Sequence, residues 1–239
     1  MKIKDITDRY ISQRLFFKNF DEEIHKKKVL IVGIGGLGSW LAEFLARIGV
    51  EEIRLIDYDK VELKNLHRQN FTEKDIGRYK VDVMEERIKE INPNITVKKY
   101  LEINKDAFNG IDIFFDGTDN IESKYLLNEI SVKYEIPYIF GSVVENHGFV
   151  GLINPKDFCF YDIYKGRTDV LRCTTYGVDP SAVFFASSLM LNLFIDFIKG
   201  ERDGKIFYFN LSKKILEKIS VKRKECEICV KKEFKYLRW

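Results

Sequence analysis

Three glycines, Gly33, Gly35 and Gly38, stand at the spacing G-x-G-x-x-G between the apolar run "KVLIVG" and the amphipathic segment "LGSWLAEFLARI". Side chains at these positions would keep a phosphate away from the amides of the turn and of the helix N-terminus, so the pattern in this context reads as a phosphate cradle. Gly36 adds a further position of close approach. Asp57 follows Gly38 by nineteen residues, at the end of the next strand, where a carboxylate can accept hydrogen bonds from ribose hydroxyls. A dinucleotide carries two bridging phosphates that backbone amides largely satisfy. A triphosphate adds a concentrated negative tail that calls for side-chain cations and a metal. Arg68 and Lys80 supply the cations, and Asp119, closing the strand "IDIFFDGTDN", supplies a carboxylate at the sheet edge where Mg²⁺ can be held. Singly, Arg68 and Lys80 read as solvated surface residues; their joint presence beside the glycine turn carries the argument. The run "LIDYDKVELKNLHRQN" further contains Asp59, Asn65 and Gln69, more polar groups than an ordinary dinucleotide unit uses, while His67 reads as a surface or packing residue.

The elements needed to position these groups are legible from hydrophobic period. Strand, glycine turn, helix and strand over residues 28–59 form a βαβ unit. A helix over 80–91 stops at Asn92 and Pro93 and leads to the strand "ITVKKYL"; another helix near 121–134 precedes strands of antiparallel character over 138–155. The fold class expected is α/β, a Rossmann-like, mostly parallel sheet with helices on both faces and an antiparallel extension. Asp179 as N-cap, Pro180 at the first helical position and Gly200 at the end bound a long apolar helix. Ser187, Ser188, Asn192 and Asp196 interrupt it, leaving it short of the ~20 apolar residues of a membrane span, so it reads as a buried helix. Its near all-round hydrophobicity suggests the sheet on one side and another helix, from this chain or a second subunit, on the other.

With 239 residues and 45% hydrophobic content the chain can fill a sizeable core, which excludes disordered and fibrous classes. A net charge of +3 gives no compositional indication of a nucleic-acid surface. No signal-peptide segment opens the sequence, so a cytoplasmic location is expected, and there Cys159, Cys173, Cys226 and Cys229 are better read as thiols, metal ligands or catalysts than as disulfides.

The motifs "GIGGLG", "LIDYDKVELKNLHRQ", "DIGRYK" and "DGTDN", continued by "CTTYGVDPSAVFFASSL" and a terminal C-x-x-C, resemble the ThiF/MoeB/HesA superfamily of ubiquitin-activating-type adenylyltransferases. The resemblance implies an N-terminal arm over 1–27 and a single ATP-binding adenylation domain over 28–239. It implies ATP over the glycine turn, Asp57 on the ribose, Asn65, Arg68 and Lys80 on the phosphates and Asp119 on Mg²⁺, with Asp59 and Asn120 also among the nucleotide-binding residues. The implied substrate is the C-terminal glycine of a small ubiquitin-fold protein ending in Gly-Gly, often a sulfur carrier of the thiamine or molybdopterin type. A carboxylate is already anionic near neutral pH, so its attack on the α-phosphate needs no general base, in keeping with a site of Arg, Lys and Asp without a catalytic histidine.

Three departures accompany the resemblance. The arm commonly reads R-Y-x-R-Q and lends an arginine to the partner subunit of a homodimer; here "RYISQR" places Ser12 at that position. Arg9, three residues back, shares its helix face, whereas Arg14 lies about 200° around. The second departure concerns zinc. Family members carry two C-x-x-C pairs, and this chain has "CEIC" (Cys226, Cys229) but "CFYD" (Cys159, Asp162). Three thiolates and a carboxylate can hold Zn²⁺, and loss of the metal with packed cysteines is the other reading. Third, Cys173 matches a position where some relatives have a cysteine active in sulfur transfer or thioester formation; a packed small hydrophobe is its alternative. The same fold would also serve a tRNA-modifying relative that activates a small carboxylate, a carrier-binding scaffold without catalysis, or an NAD-dependent oxidoreductase. The last leaves most of "LIDYDKVELKNLHRQN" unused.

Overall fold

The structure is a computed structural model that describes residues 9–164, 176–223 and 225–239. Eight strands form one sheet in the order β3-β2-β1-β4-β5-β6-β7-β8. They are β1 (Lys28–Val32), β2 (Glu52–Ile56), β3 (Thr96–Tyr100), β4 (Ile113–Asp116), β5 (Tyr138–Val144), β6 (His147–Ile153), β7 (Lys205–Asn210) and β8 (Ile215–Ile219). The first five pair in parallel and the last three antiparallel, as a Rossmann-like sheet with an antiparallel extension. The helices are α1 (Ile11–Phe17), α2 (Asp21–Ile24), α3 (Gly36–Ile48), α4 (Lys80–Ile91), α5 (Lys105–Phe108), α6 (Ile121–Tyr134), α7 (Phe160–Tyr164) and α8 (Pro180–Ile198).

Alternation along the strands divides the core into two layers. Val29, Ile31, Ile53, Leu55, Ile113 and Phe115 face α3, α4 and α8, and Leu30, Val32, Ile56, Phe114, Tyr138 and Phe140 face α5, α6 and α7. Both faces are covered, which is why β1 from Val29 to Val32 and β4 from Ile113 to Phe115 are continuously apolar instead of alternating with polar residues. Emptying one such position, Phe115→Ala for instance, costs about 3–5 kcal/mol.

Helix α8 begins as its sequence dictates. Asp179 caps it, accepting the Ser181 N–H at 2.8 Å, Pro180 occupies the first turn, and Gly200, with φ +91°, follows its end. It packs on α3, β5 and β6. Among the described residues it is the one helix long and apolar enough to cross a membrane, and half of that window is buried within the protein, as a core helix requires. The hairpin of β7 and β8 was not anticipated from the sequence. It extends the antiparallel region beyond residue 155.

The chain crosses from β1 outward to β3 and then returns to place β4 on the other side of β1. Ligands of open α/β sheets bind at the carboxyl ends of the strands flanking such a reversal. The first described arm residues lie at the opposite edge. Tyr10 is buried there against the end of α3 at Gly49, its hydroxyl accepts from Asn92 Nδ2 at 2.7 Å, and Arg9 donates to the Ile91 carbonyl at 2.5 Å.

Candidate active site

The cleft at the β1/β4 reversal begins with two glycines whose geometry admits no substitute. Gly33 has φ +87°, in the left-handed region, and a Cβ there would meet the Gly117 carbonyl carbon at 2.9 Å. A Cβ on Gly38 would lie 1.9 Å from the Gly33 oxygen, so the first turn of α3 can pack directly on the glycine turn only without one.

Asp57 continues from β2 and holds this turn from beneath. Its Oδ2 accepts the Ile34 N–H at 2.7 Å and its Oδ1 the Asp59 N–H at 2.8 Å. Burial raises its pKa above the ordinary carboxylate value, opposed by the Lys80 charge and these two amide bonds. Lys80, the first residue of α4, sends its ammonium between two carboxylates, 2.7 Å from Asp59 and 3.8 Å from Asp57. Its side chain is 4% exposed, whereas Asp59 is half exposed.

A single 3₁₀ turn over Leu63–Asn65 feeds the segment carrying Arg68. The guanidinium bonds Asn65 Oδ1 at 3.2 Å and the Lys64 carbonyl at 3.4 Å, and the Trp40 indole N–H holds the Arg68 carbonyl at 3.0 Å. Across the cleft, β4 ends at Asp116 and the chain turns through Gly117 and Thr118 to Asp119, an exposed carboxylate with no hydrogen bond or ion pair among the described residues. Asn120 caps α6, its Oδ1 accepting the Ser123 N–H at 2.8 Å, so its amide nitrogen is what it can offer a ligand.

The walls form a wide arm of about 630 Å³, lined by the glycine turn, Asp57, Asp59, Asn65, Arg68, Lys80 and Asp119. A narrow arm of about 80 Å³ opens from it. The two share Gly36, Arg68 and the turn from Gly117 to Asn120. The structure therefore brings together every nucleotide residue expected from the sequence except Gly38, which packs beneath the turn, and places Asn120 at the cleft rim as a helix cap. It also supplies groups that sequence reasoning did not assign. Gln69 lines the wide arm with its Oε1 buried and, among the described residues, unpartnered, and Lys124 lines the narrow arm. Gln69 lay within the polar run quoted above, a signal that was available; Lys124 carried none. Cys173 lies outside the described residues.

Some way along α6 from the cleft, the pairs C-x-x-D and C-x-x-C converge. The ligand atoms of Cys159, Asp162, Cys226 and Cys229 all lie within 4.8 Å of one another, and all four residues are buried. Cys159 Sγ and Cys226 Sγ are 3.6 Å apart, and Cys229 Sγ is 3.4 Å from Asp162 Oδ2. A tetrahedral zinc with Zn–S bonds of ~2.3 Å requires sulfur separations of about 3.8 Å, so the donor set fits that ion. Hydrogen bonding with Cys159 brings the Cys229 thiol down to about 7, the same bond pushes Cys159 up, and burial raises Cys226. Val132, in the last turns of α6, packs against the cluster.

Residues 7–230 match the ThiF family. The chain is 30% identical to the adenylyltransferase and sulfurtransferase MOCS3 of Aedes aegypti over 87% of its own length and 51% of the relative's. It is 28% identical to the sulfur carrier protein ThiS adenylyltransferase of Bacillus subtilis, covering 97% of this chain and 74% of that one. With the sulfur carrier protein adenylyltransferase of Thermus thermophilus the identity is 26%, over 95% and 92% of the two chains. The chain thus spans about half the length of the MOCS3 relative and nearly all of the Thermus one. Among solved structures, E. coli MccB bound to MccA-N7isoASN superposes with a TM-score of 0.80 at 24% identity, over 93% of this chain and 74% of that one, a likeness of fold. On the family match over nearly its whole length, the chain belongs to the ThiF family.

Proposed function

We propose that the protein is an ATP- and Mg²⁺-dependent adenylyltransferase that activates the C-terminal glycine carboxylate of a ubiquitin-fold sulfur carrier ending in Gly-Gly. The observation that carries this reading is the placement of Arg68, Lys80 and Asp119 around one glycine turn, in a wide arm of nucleotide size from which a narrow arm leads away. The sulfur-carrier adenylyltransferases among its relatives support the substrate class.

In this reading the triphosphate lies over the amides of the glycine turn and α3, with the ribose toward Asp57. A carrier carboxylate oxygen attacks the α-phosphorus, the bond from that phosphorus to the α,β-bridging oxygen breaks, and pyrophosphate leaves with its electron pair. No proton moves in this step, so Arg68 and Lys80 act by position and by neutralising charge on the phosphates. Asp119, exposed at the cleft, would hold Mg²⁺, which when bound supplies further neutralisation of the phosphate tail. Cys159, Asp162, Cys226 and Cys229 would hold a structural Zn²⁺ remote from the chemistry.

A cytoplasmic homodimer completes the proposal. Arg9, the first described residue of the arm, lies at the edge opposite its own cleft, so it would serve a partner's site and not its own. Cys173 is the proposed nucleophile of a later sulfur or thioester step. The experiment is ATP–pyrophosphate exchange with a carrier of the ThiS type, combined with intact-mass detection of its adenylate. Exchange that depends on the carrier supports the reading; tight NADH binding without ATP binding favours an oxidoreductase instead.

A further inference from the structure

The narrow arm presents an electrostatic difficulty. An anionic carboxylate has to travel through it to meet an anionic phosphate, and its walls are mostly apolar, with Leu37, Val143, Val144, Val178 and Val183 among them. The charged residues lining it, among those described, are Arg68, Asp119 and Lys124. Asp119 repels the incoming group. Arg68 is shared with the wide arm and the phosphates there, and Lys80 lines the wide arm alone. Lys124 is the cation that belongs to the narrow arm and not to the wide one.

The placement of Lys124 is held on two sides. From the first turns of α6 its ammonium donates to Asp116 Oδ2 at 3.1 Å and to the Gly141 carbonyl at 3.1 Å, joining β4 to β5 at the floor of the arm. The Asp116 carboxylate is occupied in turn. Its Oδ1 accepts the Thr118 N–H at 2.9 Å and the Thr118 hydroxyl at 2.6 Å, fixing the turn that carries Asp119. The two side chains are 5% and 1% exposed. An ammonium has three hydrogens, and the described residues use two of them here. Asp116 offsets the charge of Lys124 in direct contact, but the remaining N–H is still a charge-assisted donor for whatever enters the arm.

We propose that Lys124 contacts the substrate: it donates its third hydrogen to the terminal carboxylate of the acyl substrate in the narrow arm and so steers that group toward the α-phosphate. This rests on the adenylation reading above and adds to it a residue for the acyl end. Lys124 keeps its proton throughout. The bonds made and broken are those of the adenylation step, and its role is to favour the carboxylate over an uncharged chain end.

The test is a charge cycle. A ThiS-type carrier is prepared with a C-terminal carboxylate or a C-terminal carboxamide, and its binding to wild type and Lys124→Gln is measured by calorimetry with a non-hydrolysable ATP analogue present. Wild type is expected to prefer the acid by at least roughly tenfold, and Lys124→Gln to bind both forms within about twofold. The affinity for the ATP analogue should be nearly unchanged. A Lys124→Gln protein that keeps the wild-type preference, or that loses ATP affinity in the same proportion, overturns the inference and leaves Lys124 a strut. Should the single variant unfold because Asp116 is left uncompensated, Lys124→Gln/Asp116→Asn replaces the buried ion pair with two amides and gives the same readout. A wild type indifferent to the chain end overturns the inference alone, and a wild type that binds neither carrier overturns the carrier reading with it.

Discussion

The ammonium of Lys80 sits 2.7 Å from Asp59 Oδ2 and 3.8 Å from Asp57 Oδ2, so the cation assigned to the phosphates, at the start of α4, is held by two carboxylates that follow the end of β2. The contact is unequal. Asp57 is nearly buried and fixed by backbone amides, while Asp59 is half exposed and free to swing away as phosphate arrives. Lys80→Ala should therefore lower kcat for pyrophosphate exchange by roughly 10²-fold, whereas Asp59→Asn, which releases the lysine, should change it by less than about tenfold. Equal losses in the two variants would assign Asp59 a direct role on the nucleotide.

Asp57 gives the fold a pH signature. Its pKa is raised in the folded protein by burial, so ionisation is disfavoured there relative to the unfolded chain. The sign follows from linkage. As pH rises from the ordinary carboxylate value of about 3.9 through the raised folded value, the wild type loses stability relative to Asp57→Asn, and the difference levels off above it. Denaturant melts of the nucleotide-free proteins across that range check this. A difference that is flat, or that moves the other way, would mean that Lys80 and the two amide bonds outweigh the burial.

At the cysteine cluster the expected outcome is one zinc per chain by elemental analysis. Chelation, or Cys226→Ser, should lower Tm by several degrees, on the order of 2–4 °C for each kcal/mol lost. Asp162→Cys should tighten retention of zinc against a chelator, because a fourth thiolate replaces a harder oxygen donor. Carefully purified protein without metal would show that the four side chains pack as thiols and a carboxylic acid.

Cys173 separates the two halves of the proposed chemistry. Its thiol takes no part in the attack on ATP, so Cys173→Ser should leave exchange within about twofold of wild type while abolishing a covalent carrier adduct or slowing sulfur transfer. A variant that completes sulfur transfer at the normal rate would return this cysteine to a packing role.

Much of the nucleotide-binding half was readable in the sequence because period, caps and chemistry agree there. The ends of α4 at Lys80 and Ile91, of α6 at Ile121 and Tyr134, and the Asp179 cap of α8 coincide with sequence signals. The β7–β8 hairpin was missed for a physical reason. Its turn has no Asn-Gly or Gly pair, and Lys214 takes the left-handed position at φ +54°. Lys124 was missed because its partner Asp116 lies eight residues away across a strand end, a turn and a helix start, a relation no helical or strand period encodes. Asn120 shows the converse. A D-N pair before a helix serves equally as ligand contact or cap, and the bond to Ser123 appears only in the fold.

Carrier-dependent ATP–pyrophosphate exchange in Arg68→Ala and Asp119→Ala tests the central claim most directly, because both residues line both arms of the cleft and neither belongs to the buried core. Each variant should lose roughly 10²-fold or more of the exchange rate while melting within about 1 kcal/mol of wild type. Near-normal exchange in both would contradict the account of this cleft as an adenylation site.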